Sequence, residues 1–346
     1  MATSPTEPGP SGGPLSDPDG AINSRLLPLE PMDPGLTWEQ PGGGVIVHLE
    51  LAWGHVRRWW LRAFRRGYVE RMRRLRKGTE NRCPHEVLDP RDLKFFRNQG
   101  GYWWDKADDP FTWRDRLPFT RTGLAELFVF SLIFYGGGAG LAWWLVSRET
   151  GRVVGAIGWL LVATLLVIGG LITWFFRNPQ RDIPQGRGTV VSPADGVITT
   201  IDEIEHDEFV GGPAVLIGIF LSIFNVHINR SPLPGRVIGV RYKKGKYLNA
   251  LRPESARENE QLALRMQMTQ APYRRFVVRQ ITGAIARRIV CWMKPGDELT
   301  AGEQFGMIKL GSRTELVLPR EAALELKIKL GDTVQAGSSI LATYRE

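Results

Sequence analysis

Phe305-Gly306-Met307-Ile308-Lys309-Leu310-Gly311-Ser312-Arg313-Thr314-Glu315-Leu316-Val317-Leu318-Pro319 is a β-rich run broken in its middle by a Gly-Ser pair. Glycine reaches backbone conformations that other residues resist and leaves its own carbonyl open to approach. A serine hydroxyl beside such a carbonyl needs only a base to become a nucleophile. The dipeptide alone is unspecific, since Gly337-Ser338 repeats it in what reads as a surface turn. Working back from this run to Gly188, short β runs alternate with turns, which predicts strands over 189–191, 196–201, 215–221, 237–242, 276–281 and 289–293. Residues 254–268 predict a helix or an ordered loop.

An internal echo accompanies the strands. Gly296-Asp297-x-x-x-Ala301-Gly302 returns 35 residues later as Gly331-Asp332-x-x-x-Ala336-Gly337, each a turn feeding a strand. The pair is typical of a barrel-sandwich of the lipoyl type. The expected fold is therefore mainly β with a short helix over 177–346, preceded by helical segments of a different character.

Those segments lie in the N-terminal half. Residues 1–44 are rich in Pro, Gly and Ser, lack apolar periodicity and predict a disordered tail without the pattern of a secretory signal. Over 51–75 the residues Val56, Trp59, Trp60, Ala63, Phe64, Tyr68, Met72 and Leu75 recur every three or four positions, with arginines opposite. That is a basic amphipathic helix suited to an anionic membrane surface, although packing on its own protein or binding nucleic acid would use the same pattern. Two apolar runs, 124–146 and 153–176, each reach the ~20 residues needed to cross a bilayer. Only Ser147-Arg148-Glu149-Thr150-Gly151-Arg152 joins them, so they predict a transmembrane helical hairpin, with Glu126 near one end where it can reach the interface. Arginines precede the first run, and Arg177, Arg181 and Arg187 follow the second. The expected location is the cell membrane, multi-pass, with both flanks and the C-terminal domain on the cytoplasmic side. Residues 45–123 group the amphipathic helix with a Trp-rich interfacial segment whose chemistry the sequence does not disclose.

Composition agrees with these assignments. The 346 residues carry a formal charge of +9 and a pI near 9.7, which points to an anionic partner without choosing lipid over nucleic acid. Between Arg57 and Lys77 there are nine arginines and one lysine against Glu70. With aromatic residues on that helix and two spans beside it, a membrane is expected and nucleic acid is not. Cys83 and Cys291 stand in no metal or redox spacing, and the five histidines form no ligand cluster, so no metal is expected.

Two motifs upstream of the Gly-Ser pair supply a carboxylate and an imidazole: Ser192-Pro193-Ala194-Asp195-Gly196 and Phe224-Asn225-Val226-His227-Ile228-Asn229-Arg230. Read singly, Asp-Gly favours turns, a histidine after an apolar run suits a core, and Ser312 suits a turn. Together, in this order, they resemble the pyruvoyl-dependent phosphatidylserine decarboxylase family, in particular its shorter branch, whose processing site ends in Gly-Ser. The segments 244–250, 258–260 and 283–288 are similar to it as well, and the resemblance covers about 174–346.

The resemblance implies autocatalytic cleavage between Gly311 and Ser312. Ser312 Oγ attacks the Gly311 carbonyl, the ester eliminates, and hydrolysis leaves a covalent pyruvoyl group in place of Ser312. Fragments 1–311 and 312–346 would remain together as a heterodimer. His227 is the implied general base, with Asp195 fixing its tautomer, in the manner of a catalytic triad. The pyruvoyl group would form a Schiff base with phosphatidylserine and act as electron sink while carbon dioxide leaves, giving phosphatidylethanolamine. His227 is then a candidate proton donor. Longer branches carry a second histidine where this chain has Phe224, so no role of that imidazole transfers. Arg230, Lys243, Lys244 and Lys246 could attract a lipid phosphate or carboxylate, or be solvated surface charges. The competing readings are a non-catalytic lipoyl- or biotinyl-like carrier modified on Lys309, and a membrane adaptor with a degenerate enzyme domain.

Overall fold

A computed structural model describes residues 26–33, 36, 44–78, 89, 103–148, 150–252, 254–284, 288–309 and 311–345. The helical half comprises α1 (Gly44–Phe64), α2 (Arg66–Leu75), 3-10 turns at Thr112–Arg116 and Arg121–Gly123, α3 (Leu124–Ser131), a π-turn Leu132–Gly136, α4 (Gly137–Ser147) and α5 (Arg152–Phe175). The β half comprises β1 (Thr189–Val191), β2 (Gly196–Asp207), β3 (Gly212–Leu221), β4 (Ile228–Arg230), β5 (Gly235–Lys243), the single helical turn α6 (Ser255–Glu258), β6 (Gln261–Gln267), β7 (Arg275–Thr282), β8 (Arg288–Cys291), β9 (Glu298–Leu299), β10 (Gln304–Lys309), β11 (Ser312–Pro319), β12 (Leu324–Leu326), β13 (Thr333–Val334) and β14 (Ile340–Tyr344). The chain is thus mainly β with attached helices, including two long apolar ones.

The run quoted first folds as two strands in different sheets. β10 lies between β4 and β8 in a three-stranded sheet. β11 sits inside an eight-stranded sheet of order β13-β2-β3-β11-β7-β6-β5-β9, and β1-β14-β12 form the third sheet. The chain changes sheet between Lys309 and Ser312, and this places the Gly-Ser pair at a junction of layers. Ile217, Ile219, Leu264, Phe276, Val278, Phe305, Ile308 and Leu316 belong to the core those sheets enclose, and its burial is the main favourable term for folding.

The echo in the sequence is a structural duplication. Gly337 N–H donates to the Ser192 carbonyl and Gly302 N–H to the Ser231 carbonyl, both at 2.8 Å. Ser192 Oγ bonds the Ala194 carbonyl at 2.7 Å and Ser231 Oγ the Leu233 carbonyl at 2.6 Å. Ile198 N–H donates to the Asp332 carbonyl as Val237 N–H donates to that of Asp297. The aspartates also match, since Asp297 accepts from Lys294 N–H and Asp332 from Lys329 N–H. Two copies of one strand-and-turn unit therefore face each other, and their glycines meet, with a Cβ on Gly337 lying 3.7 Å from Gly302 Cα.

Several expectations change. Residues 254–268 hold only one helical turn, and Gln261–Gln267 is a strand between β5 and β7. Its helix-forming composition is overridden by pairing on both edges, with Leu262, Leu264 and Met266 buried at alternate positions. The expected helix over 51–75 is two helices, broken at Arg65 (φ −137°, ψ 45°). Of its apolar face, Trp53, Val56, Trp59, Trp60 and Phe64 are exposed, whereas Met72 packs with Trp104 and Phe111, and Trp104 Nε1 donates to the Met72 carbonyl at 2.9 Å. Within the Trp-rich stretch Trp104 and Phe111 thus serve packing, while Trp113 is exposed. The expected tail also departs from its reading where it is described. Leu36 is buried in the main core, Glu30 N–H donates to the Ile238 carbonyl, and Glu30 pairs with Arg241 and Arg265. Apolar anchors and one bridging carboxylate suffice to seat it on β5 despite the Pro-rich composition. Cys83 and residues 1–25 lie outside the described residues.

Arg121–Ser147 and Arg152–Phe175 are both long and apolar enough to cross a membrane, with mean hydropathy 1.6 and 2.3. They pack against each other, and Tyr135 Oη lies 3.0 Å from Thr173 Oγ1 across the pair. At their foot Leu127, Phe175 and Phe176 pack on Met307 of β10. The helices therefore rest on the strand that leads into the Gly-Ser pair.

Candidate active site

Ser312 opens β11, pairing with Leu221 of β3 and Thr282 of β7. Its side chain is fully buried, and among the described residues its Oγ has no hydrogen-bond partner. Leaving a buried hydroxyl unpaired costs about 1–3 kcal/mol, so the arrangement is maintained against a penalty. Gly311 has φ +69°, a left-handed conformation that glycine adopts freely. Its carbonyl oxygen rests on Gly283, where an added Cβ would lie 2.1 Å from it. Gly283 therefore has to be glycine for the carbonyl to occupy this place.

His227, just before β4, is fully buried. Its Nδ1 lies 2.9 Å from the Asn225 carbonyl, an acceptor only, so Nδ1 carries the proton. Nε2 is left with its lone pair and accepts the Gly311 N–H at 3.2 Å. Burial pushes the imidazole down to about 4, against the Asn225 bond and assisted by the positive charge of Arg177. The ring is neutral at physiological pH. It packs on the Phe175 ring at 4.6 Å, the last residue of α5. The structure thus joins His227, Gly311 and Ser312, with the contact made at the Gly311 amide.

Asp195 is placed differently from the expected triad. The tautomer of His227 is fixed by the Asn225 carbonyl, and Asp195 bonds Arg181 at 2.8 Å and the Ala336 N–H at 2.7 Å. Nor does the turn require Asp195. In the duplicate unit Ser231-Pro232-Leu233-Pro234-Gly235 the corresponding position is Pro234, and that copy keeps the serine bond to the carbonyl two residues on. The carboxylate has no counterpart in the second copy. It is therefore available for work on charge, with guanidiniums as its neighbours.

Sequence reasoning missed a second charged group. Glu126 is buried, and its Oε1 receives Arg288 Nη1 at 2.6 Å and Lys309 Nζ. Lys309 Nζ also donates to the Thr122 carbonyl at 2.9 Å. The expectation that Glu126 reaches an interface is thereby corrected: its partners are cations of β8 and β10. The signal was a single acid in an apolar run together with a lysine in an apolar strand, neither informative until tertiary structure joins them. The same pairing leaves Lys309 inaccessible, unlike the exposed lysine a carrier domain needs. Lys246 pairs with Glu258, and Lys243 bonds the Arg257 carbonyl. Among the described residues no group of three or more His, Cys, Asp or Glu side chains could hold a metal.

Comparison with known proteins identifies the family. A family model described as phosphatidylserine decarboxylase matches residues 168–342. The chain is 50% identical over 254 residues to the phosphatidylserine decarboxylase proenzyme of Rhodopirellula baltica, covering 73% of this chain and 100% of that relative. It is 43% identical over 206 residues to the proenzyme of Carboxydothermus hydrogenoformans, covering 59% and 94% of the two chains. With the proenzyme of Syntrophus aciditrophicus it shares 40% over 184 residues, or 53% and 84%. The chain belongs to the phosphatidylserine decarboxylase family.

Proposed function

We propose that Gly311–Ser312 is the bond this chain breaks in itself, and that Ser312 becomes its prosthetic group. The protein is a pyruvoyl-dependent decarboxylase that converts phosphatidylserine to phosphatidylethanolamine and carbon dioxide. The observation that supports the site is the buried Ser312 Oγ, unpartnered among the described residues, beside a left-handed glycine whose amide touches a neutral histidine. Attack of Oγ on the Gly311 carbonyl carbon passes the hydroxyl proton to His227 Nε2. The amine of Ser312 leaves and takes that proton as the Gly311–Ser312 ester forms. Loss of the Ser312 α-proton then breaks the Cβ–O bond, releasing Gly311 as a carboxylate, and water replaces the nitrogen as ammonia leaves. The pyruvoyl group supplies the electrophilic carbonyl and electron sink for decarboxylation. His227, neutral and fixed by Asn225, serves as base in cleavage and as the proton store for the product carbon. We assign Asp195 a positioning role: it holds Arg181 and the duplicate turn at Ala336.

Cleavage would leave 312–346 in place, because β11 lies between β3 and β7 and β14 pairs with β1 and β12. The domain over 177–346 is read as a barrel-sandwich built on the duplicated units. We read Arg121–Ser147 and Arg152–Phe175 as a multi-pass membrane hairpin, with the β domain on its arginine-rich, cytoplasmic side. Exposed Phe224 and Ile223, next to exposed Trp174 at the end of α5, continue the apolar surface onto the histidine loop. The exposed aromatic face of α1 suits the same lipid surface. The test is Ser312→Ala, which should leave one uncut chain without decarboxylase activity. An active Ser312→Ala protein contradicts the assignment.

A further inference from the structure

A cleft of about 740 Å³ opens at the foot of the apolar helices, lined by Arg116, Arg177, Arg181 and Arg230 together with Asn178 and Gln304. Charge in it is poorly balanced. Among the described residues Arg181 has a carboxylate partner, Asp195 at 2.8 Å, and the rim residue Asp115 is engaged by Arg121 at 3.1 Å. Arg177 donates to the carbonyls of Trp174 (2.7 Å) and Phe224 (2.9 Å), and Arg230 to that of Gly302 (2.9 Å). Those are neutral acceptors. Burial lowers the proton affinity of Arg177, with Asp195 opposing and Arg181 adding to the effect. Burial and Arg181 lower that of Arg230 against Asp195. Like charges held together in a partly dry cleft are what a bound anion relieves.

The position of the cleft says which anion. Asn178 N–H donates to the Pro118 carbonyl at 2.9 Å and Phe119 bridges to Arg177, so the segments entering the first apolar helix and leaving the second form its wall. Arg177 stacks on exposed Trp174 at 4.1 Å. An indole and a guanidinium at the end of a membrane helix lie at headgroup level. Planar guanidiniums match phosphate oxygens in paired hydrogen bonds, and the volume is that of a small-molecule site. We propose that this cleft binds the phosphodiester of a membrane phospholipid headgroup beside the active site. The choice of a lipid over a soluble phosphate rests on the membrane reading given above.

The test uses the full chain in phosphatidylcholine vesicles containing phosphatidylserine, comparing wild type with Arg230→Gln and with Arg116→Gln. Arg116 is exposed and its replacement does not threaten folding. Each variant should raise the apparent KM, in surface mole fraction of phosphatidylserine, at least fivefold, with a smaller fall in kcat. Added phosphatidylglycerol, a phosphodiester that is not a substrate, should inhibit the wild type at least fivefold more effectively than either variant. An unchanged KM in both variants overturns the proposal, as does millimolar inorganic phosphate inhibiting as well as phosphatidylglycerol. Vesicle flotation of the same samples tests the membrane reading separately, and their fragment pattern tests self-cleavage. Failure of either is distinguishable from an unchanged KM.

Discussion

Gly283 and His227 carry the sharpest consequences at the scale of single residues. A methyl group on Gly283 has no room beside the Gly311 carbonyl oxygen, so Gly283→Ala must displace the bond that is to be cut. Self-cleavage of newly made Gly283→Ala protein should slow at least tenfold, followed as loss of the uncut chain on denaturing gels. A rate equal to wild type would show that the carbonyl need not rest there. His227 has a folded value near 4 against 6.5 for the free side chain. The unfolded chain therefore binds the extra proton more readily. Its contribution to stability is complete above pH 6.5 and is lost as pH falls through 4, by about 3 kcal/mol. Wild type should lose melting temperature across that window relative to His227→Gln, whereas parallel curves would contradict the buried neutral ring. Cleavage, which needs the unprotonated Nε2, should persist well below pH 6.5. The serine and the histidine could be singled out in the sequence because their motifs, taken together, resemble the family. Gly283 lay in a segment that resembled the family, but its reason, contact with a carbonyl 28 positions on, exists only in three dimensions.

Between elements, the decisive contact is the ion cluster that ties α3 to β8 and β10. Glu126 pairs with both Arg288 and Lys309. Removing one member of a buried charged group typically costs about 3–5 kcal/mol, because the remaining charges stay buried without compensation. Glu126→Gln should therefore lower the unfolding midpoint markedly and slow cleavage, since Lys309 is two residues from Gly311. Combining it with Lys309→Met should recover part of the loss. A double variant as unstable as the sum of its singles would argue against direct coupling. Hydropathy revealed the two apolar helices to within a few residues, because a long apolar run has few other uses. It could not reveal that the first helix carries an internal ion-pair partner for a β strand. Strand β6 was missed for a related reason: Ala, Leu, Arg, Met and Gln favour helices in isolation, and only neighbours on both edges make them a strand.

Across the whole molecule, duplication explains both the fold and the exception within it. Two strand-and-turn units close on each other through Gly302 and Gly337, and the turn echo in the sequence was a true record of this. The carboxylate of Asp195 stands where the second copy has Pro234. Of the triad that the resemblance implies, the Asp195–His227 contact is absent among the described residues, because order along a chain does not specify which acceptor an imidazole finds, and here it is the Asn225 carbonyl two residues away. Embedding of β11 between β3 and β7 makes a covalent break at its first residue compatible with an intact fold. The most direct test is the intact mass of the purified protein. Two species are predicted, 1–311 and 312–346, co-purifying under native conditions, the smaller beginning with a keto acyl group that lacks the Ser312 nitrogen. A single continuous chain that still releases carbon dioxide from phosphatidylserine would contradict the account.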